Sequence, residues 1–156
     1  MLEIDIPGQD LLRLHHLVCD YNGTLACDGR LLPDLHSLIL EISSHLQVHV
    51  ITADTFGIAQ QGLSDLPVTL AILQPGQQDK QKAAYIRELG AQSCVCLGNG
   101  RNDALMLQHA ALGICLVQAE GASAVTVGSA DVVCRSAHDA LNLLLNPKRL
   151  VATLRV

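Results

Sequence analysis

Short apolar runs alternate with stretches of helical periodicity along the chain. Six apolar runs predict strands at 14–19, 48–52, 68–73, 93–97, 113–117 and 131–134. The segments between them predict helices at 33–44, 54–62, 79–89, 102–110 and 137–145. Strands that alternate with helices pair in parallel, and near-continuous apolar strands are covered on both faces. The pattern therefore predicts an α/β fold with one doubly wound, Rossmann-like parallel sheet, in a single domain over residues 1–156.

Local residue types mark several helix ends. Pro33 and Asp34 stand in the first turn of the first predicted helix, and Asp79 starts the third. Gly90 follows that third helix, where a residue of left-handed conformation commonly ends a helix. We expect the last helix to end at Asn146, because a proline follows it.

Composition narrows the classes of function. Hydrophobic residues make up 49% of the 156 and charged residues 16%, which favours a packed core over disorder. One Phe, two Tyr and no Trp leave few platforms on which nucleic-acid bases could stack. The net charge of −5 gives no support to phosphate-backbone binding, so we expect no nucleic-acid partner. A small anionic substrate would need a local cation in this acidic chain.

The remaining sequence features predict a reduced, cytoplasmic protein. The first residues carry no basic or apolar leader pattern, and no apolar stretch approaches membrane-spanning length, so we expect no membrane partner. Most of the six cysteines fall in apolar runs, where reduced thiols pack as small hydrophobic groups. Cys94 and Cys96 would share one face of a strand, but no second cysteine or histidine pair accompanies them to form a zinc site.

Polar residues stand at the predicted strand ends, where α/β proteins bind ligands. Asp20 ends the first strand, Thr52 ends the second, and Gly98-Asn99-Gly100-Arg101-Asn102-Asp103 follows the fourth. Lys80 and Lys82 lie at the start of the helix before that fourth strand, and Lys80 is the preferred candidate cation. This order suits phosphoryl transfer, which needs a nucleophile, a metal and further donors to the phosphate. Asp20 would attack, while Asn99 and Asp103 would hold a hydrated Mg²⁺.

Other interpretations of these segments fit the sequence less well. A dinucleotide-binding loop fails on spacing, because Asp103 stands where the third glycine of G-x-G-x-x-G is required. A receiver-like phospho-acceptor would need an acidic pair at an earlier strand end, and none precedes Asp20. Taken singly, each residue is also a common turn former or helix cap. Only their joint order along the chain favours a phosphoryl-transfer site.

The same residues resemble the four motifs of the haloacid dehalogenase (HAD) superfamily. Asp20-Tyr21-Asn22-Gly23-Thr24-Leu25 resembles its first motif, DxDGT, or DKTGT in P-type ATPases. Thr52 resembles the second motif, and the spacing of 19 residues from Lys80 to Asn99 looks like that of P-type ATPases. Residues 98–107 resemble the fourth motif. The chain is most similar to the soluble P-type-ATPase-like group of this superfamily.

The resemblance implies roles for individual residues. Asp20 is the nucleophile that becomes an aspartyl-phosphate, the backbone carbonyl of Asn22 binds Mg²⁺, and Asn102 orients the site. The implied catalytic residues are Asp20, Asn22, Thr52 and Lys80. The implied substrate contacts are Thr52, Ala53, Lys80 and Asn102. The implied Mg²⁺ ligands are Asp20, Asn22, Asn99 and Asp103.

Two departures from the HAD motifs predict slow chemistry. HAD phosphatases have an aspartate at the position of Asn22, where it transfers protons, and an amide cannot do so. Asn99 replaces a second aspartate and removes one negative charge from the metal site. We expect a slow phosphatase or phosphotransferase acting on a phosphorylated small molecule or an acyl phosphate. The alternative is a catalytically impaired HAD domain that serves as a binding or regulatory module.

The spacing of the motifs predicts a HAD-like core without a cap domain. The intervals between Thr24 and Thr52, and between Thr52 and Lys80, have room for only a turn, a helix and a strand each. The site would then lie open, with Arg101 as a nearby candidate for substrate contact. Capless members of the superfamily can close such a site with a neighbouring subunit, so a homo-oligomer is compatible with this prediction.

Overall fold

A six-stranded parallel sheet forms the centre of the computed structural model, which describes residues 1–54 and 57–156. Its strand order is β10-β9-β8-β3-β6-β7. These strands are β3 (His16–Asp20), β6 (Gln47–Thr52), β7 (Val68–Ile72), β8 (Cys94–Gly98), β9 (Leu112–Leu116) and β10 (Val132–Cys134). The predicted α/β fold with a doubly wound parallel sheet is confirmed.

Helices connect the strands and cover the sheet. They are α1 (Leu35–Ser43), α2 (Ile58–Gly62), α3 (Gln78–Leu89), α4 (Ala104–His109), α5 (Ala124–Ser129), α6 (Ala137–Leu145) and α7 (Pro147–Leu154). Gly90, with φ +92°, ends α3 as predicted. Within residues 1–54 and 57–156, no helix has both the length and the apolar composition needed to cross a lipid bilayer.

The core has two layers because successive side chains of a strand point to opposite faces. On β3, Leu17 and Cys19 pack into the cluster that also holds the buried residues of α1 and α6. Val18 packs on the other face, with Ile86 of α3 and residues of α4. Cys94 and Cys96 lie together on this second face, as their spacing predicted. All six cysteines are free thiols, and only Cys27 is not fully buried.

Two antiparallel hairpins lie outside the predicted elements. One joins β1 (Leu2–Ile4) to β2 (Leu12–Leu14), and the other joins β4 (Ala26–Cys27) to β5 (Arg30–Leu31). The predicted first strand is wrong at its start, because Leu14 pairs with Leu2 and β3 begins at His16. Strands of two or three residues leave almost no periodic signal in the sequence.

The helix predicted at 137–145 is confirmed as α6, but it is not the last helix. Pro147 starts α7, since proline fits the first turn of a helix. Helix α5 was not predicted. The predicted helix at 102–110 begins as a 3₁₀ turn at Arg101–Asp103 and becomes α-helical only at Ala104. Of the helix predicted at 54–62, the structure describes α2, and Thr55 and Phe56 lie outside the described residues.

The order of the strands reverses beside β3. From β3 the chain builds outward through β6 and β7, then returns to add β8 on the other side of β3. In doubly wound sheets the crevice at this reversal, at the carboxyl ends of the strands, is where ligands bind. Asp20 ends β3 and Asn99 directly follows β8, so both lie at the reversal.

Candidate active site

Asp20 lies at the carboxyl end of the central strand with both carboxylate oxygens in contact with donors. The ammonium of Lys82 donates to Oδ1 at 2.6 Å, and the hydroxyl of Thr24 lies 3.3 Å from Oδ2. The residue is only 9% exposed. The chain turns sharply just beyond it at Gly23, whose φ of +78° is readily adopted only by glycine.

Lys82 is held between two buried carboxylates. Its Nζ lies 2.6 Å from Oδ1 of Asp20 and 2.6 Å from Oδ1 of Asp103. The side chain is 1% exposed, because it lies on the face of α3 that packs on the sheet with Ala83 and Ile86. Two carboxylates and one ammonium leave this buried group with a net negative charge, which a bound cation could offset.

The choice of Lys80 as the cation of the site is corrected by this geometry. Lys80 is exposed and lines a surface depression with Gln77, Gln81 and Ala84. Two residues along a helix correspond to a rotation of about 200°, so Lys80 and Lys82 point to nearly opposite sides of α3. The resemblance in spacing to P-type ATPases favoured Lys80. The helical period instead places Lys82 on the same face as Ile86, and that face is directed at Asp20.

Asp103 is completely buried and joins Lys82 to the loop after β8. Its Oδ2 accepts hydrogen bonds from the backbone N–H groups of Asn99 and Gly100, each at 2.9 Å. With Lys82 on Oδ1, three donors already occupy this carboxylate. Asp103 therefore fixes both the lysine and the start of the 3₁₀ turn.

The side chain of Asn99 is linked to Asp20 through the hydroxyl of Thr24. Its Oδ1 is 3.3 Å from the hydroxyl of Thr24, the same hydroxyl that contacts Asp20. Its Nδ2 donates to the carbonyl of Gly121 at 3.0 Å, which fixes the direction of the amide. Asp20 Oδ2, Thr24 Oγ1 and Asn99 Oδ1 thus form a group of neighbouring oxygen atoms.

Burial and charge shift the pKa values at this site in a consistent way. Burial raises the pKa of Asp20 to about 7, the negative charge of Asp103 adds to the rise, and Lys82 opposes it. Burial alone would lower the pKa of Lys82, but the two carboxylates outweigh it and raise that pKa. Lys82 is therefore charged at neutral pH, and the proton affinity of Asp20 responds to any added positive charge.

Thr52 and Asn22 share a cavity of about 260 Å³, and Asp20 is not among its described lining residues. Thr52 is 3% exposed and follows Ile51, which pairs with Asp20 across the sheet. Asn22 is exposed at the cavity mouth. The remaining lining residues are Tyr21, Gly29, Ala53, Asp54 and Ile58. Three predicted site residues, Asn22, Thr52 and Ala53, are therefore together.

Asn102 and Arg101 lie on another side of the loop after β8. The Asn102 amide donates to Oε1 of Gln78 at 2.8 Å, which ties the loop to the start of α3. Arg101 is exposed and lines a depression of about 540 Å³ with Gln78 and Leu105. The described contacts do not bring either side chain to Asp20.

Two polar residues that organise the site, Thr24 and Gln118, were not among the predicted site residues. Thr24 contacts both Asp20 and Asn99, and its place in the first motif is a signal that could have identified it. Gln118 donates to the carbonyls of Gly23 and Thr24 at 3.1 and 2.9 Å. Nothing in the local sequence around Gln118 signals this contact, because it joins segments that are 94 residues or more apart.

The donor set at Asp20 fits a hard divalent cation such as Mg²⁺. The available ligand atoms are carboxylate, amide and hydroxyl oxygens, which Mg²⁺ prefers. The absence of a side chain on Gly23 keeps space beside them, since a Cβ there would lie within 2.7 Å of the Asn99 amide. A second group of potential ligands, Cys27, Asp28 and Glu120, lies at the nearby hairpin with its ligand atoms within 4.8 Å of one another.

The fold is that of the HAD hydrolases. A Legionella pneumophila protein classed with HAD superfamily (subfamily III A) hydrolases superposes with a TM-score of 0.71 at 16% identity, over 92% of this chain and 88% of the other. The cobalt-bound deoxy-D-mannose-octulosonate 8-phosphate phosphatase of Haemophilus influenzae gives 0.72 at 12% identity, over 92% and 94%. The 3-deoxy-D-manno-octulosonate 8-phosphate phosphatase of Moraxella catarrhalis, in complex with magnesium, phosphate and KDO, gives 0.66 at 18%, over 92% and 95%.

A sequence relative defines the family more closely. The chain is 51% identical over 84 residues to the uncharacterized protein MJ0073 of Methanocaldococcus jannaschii, a match that spans 51% of this chain and 90% of the relative. The chain belongs to the same family as that protein. No protein-family model matches the sequence.

Proposed function

We propose that this protein is a Mg²⁺-dependent phosphohydrolase, a phosphatase or phosphotransferase, that works through an aspartyl-phosphate on Asp20. The observation that carries the proposal is the buried arrangement in which Lys82 bridges Asp20 and Asp103, at the point where strand order reverses. The fold match to phosphatases, one of them in complex with magnesium and phosphate, supports it.

The side chains suggest how phosphate would be transferred. A carboxylate oxygen of Asp20 forms a bond to phosphorus, and the bond from phosphorus to the leaving oxygen breaks. Water then attacks the aspartyl-phosphate and releases phosphate, or another acceptor takes the phosphoryl group. Lys82 and Thr52 would donate to the phosphoryl oxygens, and Asp103 would keep Lys82 in place.

Mg²⁺ would be held by Asp20, the backbone carbonyl of Asn22 and the side chain of Asn99. When bound, it would neutralise charge on the phosphoryl oxygens. The direct metal contact predicted for Asp103 stays a prediction, since the described contacts commit its oxygens to Lys82 and to two backbone N–H groups. A site with one direct carboxylate is expected to bind Mg²⁺ weakly.

Slow turnover is proposed because the described lining of the cavity offers no substitute for a proton-transferring acid at Asn22. Asp54 lines the same cavity, but its two oxygens accept hydrogen bonds from the backbone N–H groups of Ala59 and Gln60. It therefore holds the start of α2. The leaving group would take its proton from water.

The substrate is proposed to be a phosphorylated small molecule or an acyl phosphate. The hairpin β4–β5 and α1 lie between Asp20 and β6, and α2 and β7 lie between β6 and α3. These elements support the proposed capless domain, whose open site a neighbouring subunit could cover. The narrower likeness to the soluble P-type-ATPase-like group and the cytoplasmic location stay predictions.

The proposal is tested with an aryl phosphate and acetyl phosphate, with and without Mg²⁺, on the protein and on Asp20→Asn. Phosphate release that needs Mg²⁺ and disappears in Asp20→Asn is the expected result. A beryllofluoride adduct on Asp20, seen by ¹⁹F NMR, reports phosphoryl-acceptor chemistry even where turnover is slow. Equal phosphate release by Asp20→Asn and the unmodified protein would contradict the mechanism.

A binding or regulatory module is the second candidate, and Asn22 and Asn99 favour it. Both are amides at positions where HAD phosphatases are expected to carry carboxylates. Absence of turnover together with absence of a beryllofluoride adduct would favour this candidate over the enzyme.

A further inference from the structure

The carboxylate of Glu120 converges with the amide of Asn99 on one point above Gly23. A Cβ atom on Gly23 would lie within 2.7 Å of both Glu120 Oε2 and the Asn99 side-chain amide. The two side chains therefore face a common space, separated by a distance that one water molecule can bridge. Glu120 follows β9 and lies outside the motif segments of the sequence.

The loop that carries Glu120 is attached to the site on both sides of it. Gln118 donates to the carbonyls of Gly23 and Thr24, and the carbonyl of Gly121 accepts from the Asn99 amide. The Ser123 N–H donates to the Asn99 carbonyl at 2.9 Å. These contacts hold the loop on both sides of Glu120 against the site, although Glu120 itself is exposed.

One oxygen of Glu120 is already used, and the other is directed at the site. Oε1 accepts from the backbone N–H of Asp28, at the tip of the β4–β5 hairpin, at 3.1 Å. Oε2 is the atom that approaches Gly23 and Asn99. The hairpin contact therefore orients the free oxygen toward the group of oxygens around Asp20.

The charges of the residues around Asp20 suggest a role for Glu120. Asn99 is neutral, and Asp103 is committed to Lys82 and the backbone, so Asp20 alone would bring a carboxylate directly to a divalent cation. We propose that Glu120 supplies the second carboxylate charge of the divalent-cation site, in place of the one that Asn99 lacks. This inference rests on the proposed Mg²⁺ site and adds a residue that acts through the hydrated cation.

Direct measurement of cation binding tests the role of Glu120 without reference to turnover. Titration calorimetry with Mg²⁺, and electron paramagnetic resonance with Mn²⁺, give the affinity of the unmodified protein, Glu120→Gln and Asn99→Asp. We expect Glu120→Gln to weaken binding about 10- to 100-fold, as is typical when a residue supporting a metal site is removed. Asn99→Asp should tighten binding.

The double variant Asn99→Asp/Glu120→Gln separates charge from structure. If Glu120 acts by its charge, Asn99→Asp tightens binding by a larger factor in Glu120→Gln than in the unmodified protein, because the new aspartate then replaces a missing charge. If Glu120 only holds the hairpin, Asn99→Asp tightens binding by the same factor with either residue at 120, and the inference is overturned. Glu41→Gln, an exposed change on α1, is the matched control and should leave the affinity unchanged.

Two further outcomes distinguish this inference from its alternatives. If Cys27→Ser or Asp28→Asn weakens binding as much as Glu120→Gln while Asp20→Asn does not, the cation lies at the Cys27–Asp28–Glu120 group and the inference is wrong. If the unmodified protein binds neither Mg²⁺ nor Mn²⁺, the proposed metal-dependent function fails with it. If Asp20→Asn abolishes binding and Glu120→Gln does not alter it, only the role of Glu120 fails.

Discussion

Single residues decide the chemistry of this site, and Lys82 illustrates how. It is the ammonium between Asp20 and Asp103, 2.6 Å from each, and its removal would leave two carboxylates facing each other in a buried space. Proton uptake on Asp20, whose pKa is already raised to about 7, would relieve part of the resulting loss of stability. Lys80, two residues earlier, is exposed and serves as a natural control.

Lys82→Met should lower the free energy of unfolding by about 2 to 4 kcal/mol and abolish phosphate release, because a buried ion pair is broken. Lys80→Met should change stability by no more than about 0.5 kcal/mol, as is usual for surface substitutions. Urea unfolding and release of phosphate from acetyl phosphate measure both effects. Loss of activity in Lys80→Met with activity retained in Lys82→Met would refute the assignment.

Asn22→Asp is the residue-scale test of slow turnover. A carboxyl group at the cavity mouth could protonate the leaving group and then activate water, an effect of about 10²- to 10⁴-fold in rate. We expect kcat for an aryl phosphate to rise within this range. Asn22→Ala is the control and should turn over at the unmodified rate. A kcat for Asn22→Asp equal to that of Asn22→Ala would show that proton transfer does not limit the reaction.

At the scale of elements, the site depends on loops that are joined by a few side chains. The turn after β3 is held against the loop after β9 by Gln118, which also accepts from the backbone N–H of Ala137 at the start of α6. One side chain thus connects two loops and a helix. The secondary structure alone would leave these loops free to separate.

Gln118→Ala should lower the free energy of unfolding by about 1 to 3 kcal/mol, because two buried carbonyls and one N–H lose their partner. It should also weaken Mg²⁺ binding, since Gly23 and Asn99 would no longer be held in fixed positions relative to each other. Gln61→Ala, at an exposed position of α2, is the control and should be neutral. Chemical unfolding and calorimetry check the two expectations, and an effect no larger than that of Gln61→Ala would contradict the role of Gln118.

At the scale of the whole molecule, the buried negative charge links stability to pH. The folded-state pKa of Asp20 is about 7, above its ordinary value of 3.8, because of burial and the charge of Asp103. A raised carboxyl pKa contributes stability that is fully present below the unfolded-state value and is lost as pH rises through the folded-state value. Without metal, the protein should therefore lose stability between about pH 4 and pH 8 through this residue.

Asp20→Asn removes that titration. Without Mg²⁺, the variant should be more stable than the unmodified protein at pH 8 by about 1 to 4 kcal/mol, and the difference should shrink toward pH 4. Mg²⁺ should reduce the difference at pH 8, because it stabilises the ionised carboxylate. Urea unfolding from pH 4 to 8 in EDTA measures this, and a difference that does not change with pH would contradict it.

The architecture and most of the candidate site residues could be predicted from the amino-acid sequence alone. Strand and helix periodicities reflect which side chains must be buried, and that requirement is local, so the parallel sheet and its polar strand ends could be predicted. The placement of Asp20, Thr52, Asn99 and Asp103 at strand ends followed directly. Very short hairpins could not be predicted, because two- or three-residue strands are set by pairing with distant partners.

Which of these groups meet depends on how the elements pack in three dimensions. Which face of α3 packs on the sheet selects Lys82 over Lys80, and which loops lie beside Gly23 brings Gln118 and Glu120 to the site. These contacts join segments that are 62 or more residues apart, as between Asp20 and Lys82. Local propensity carries no information about such contacts, because their geometry depends on how the helices and loops pack around the completed sheet.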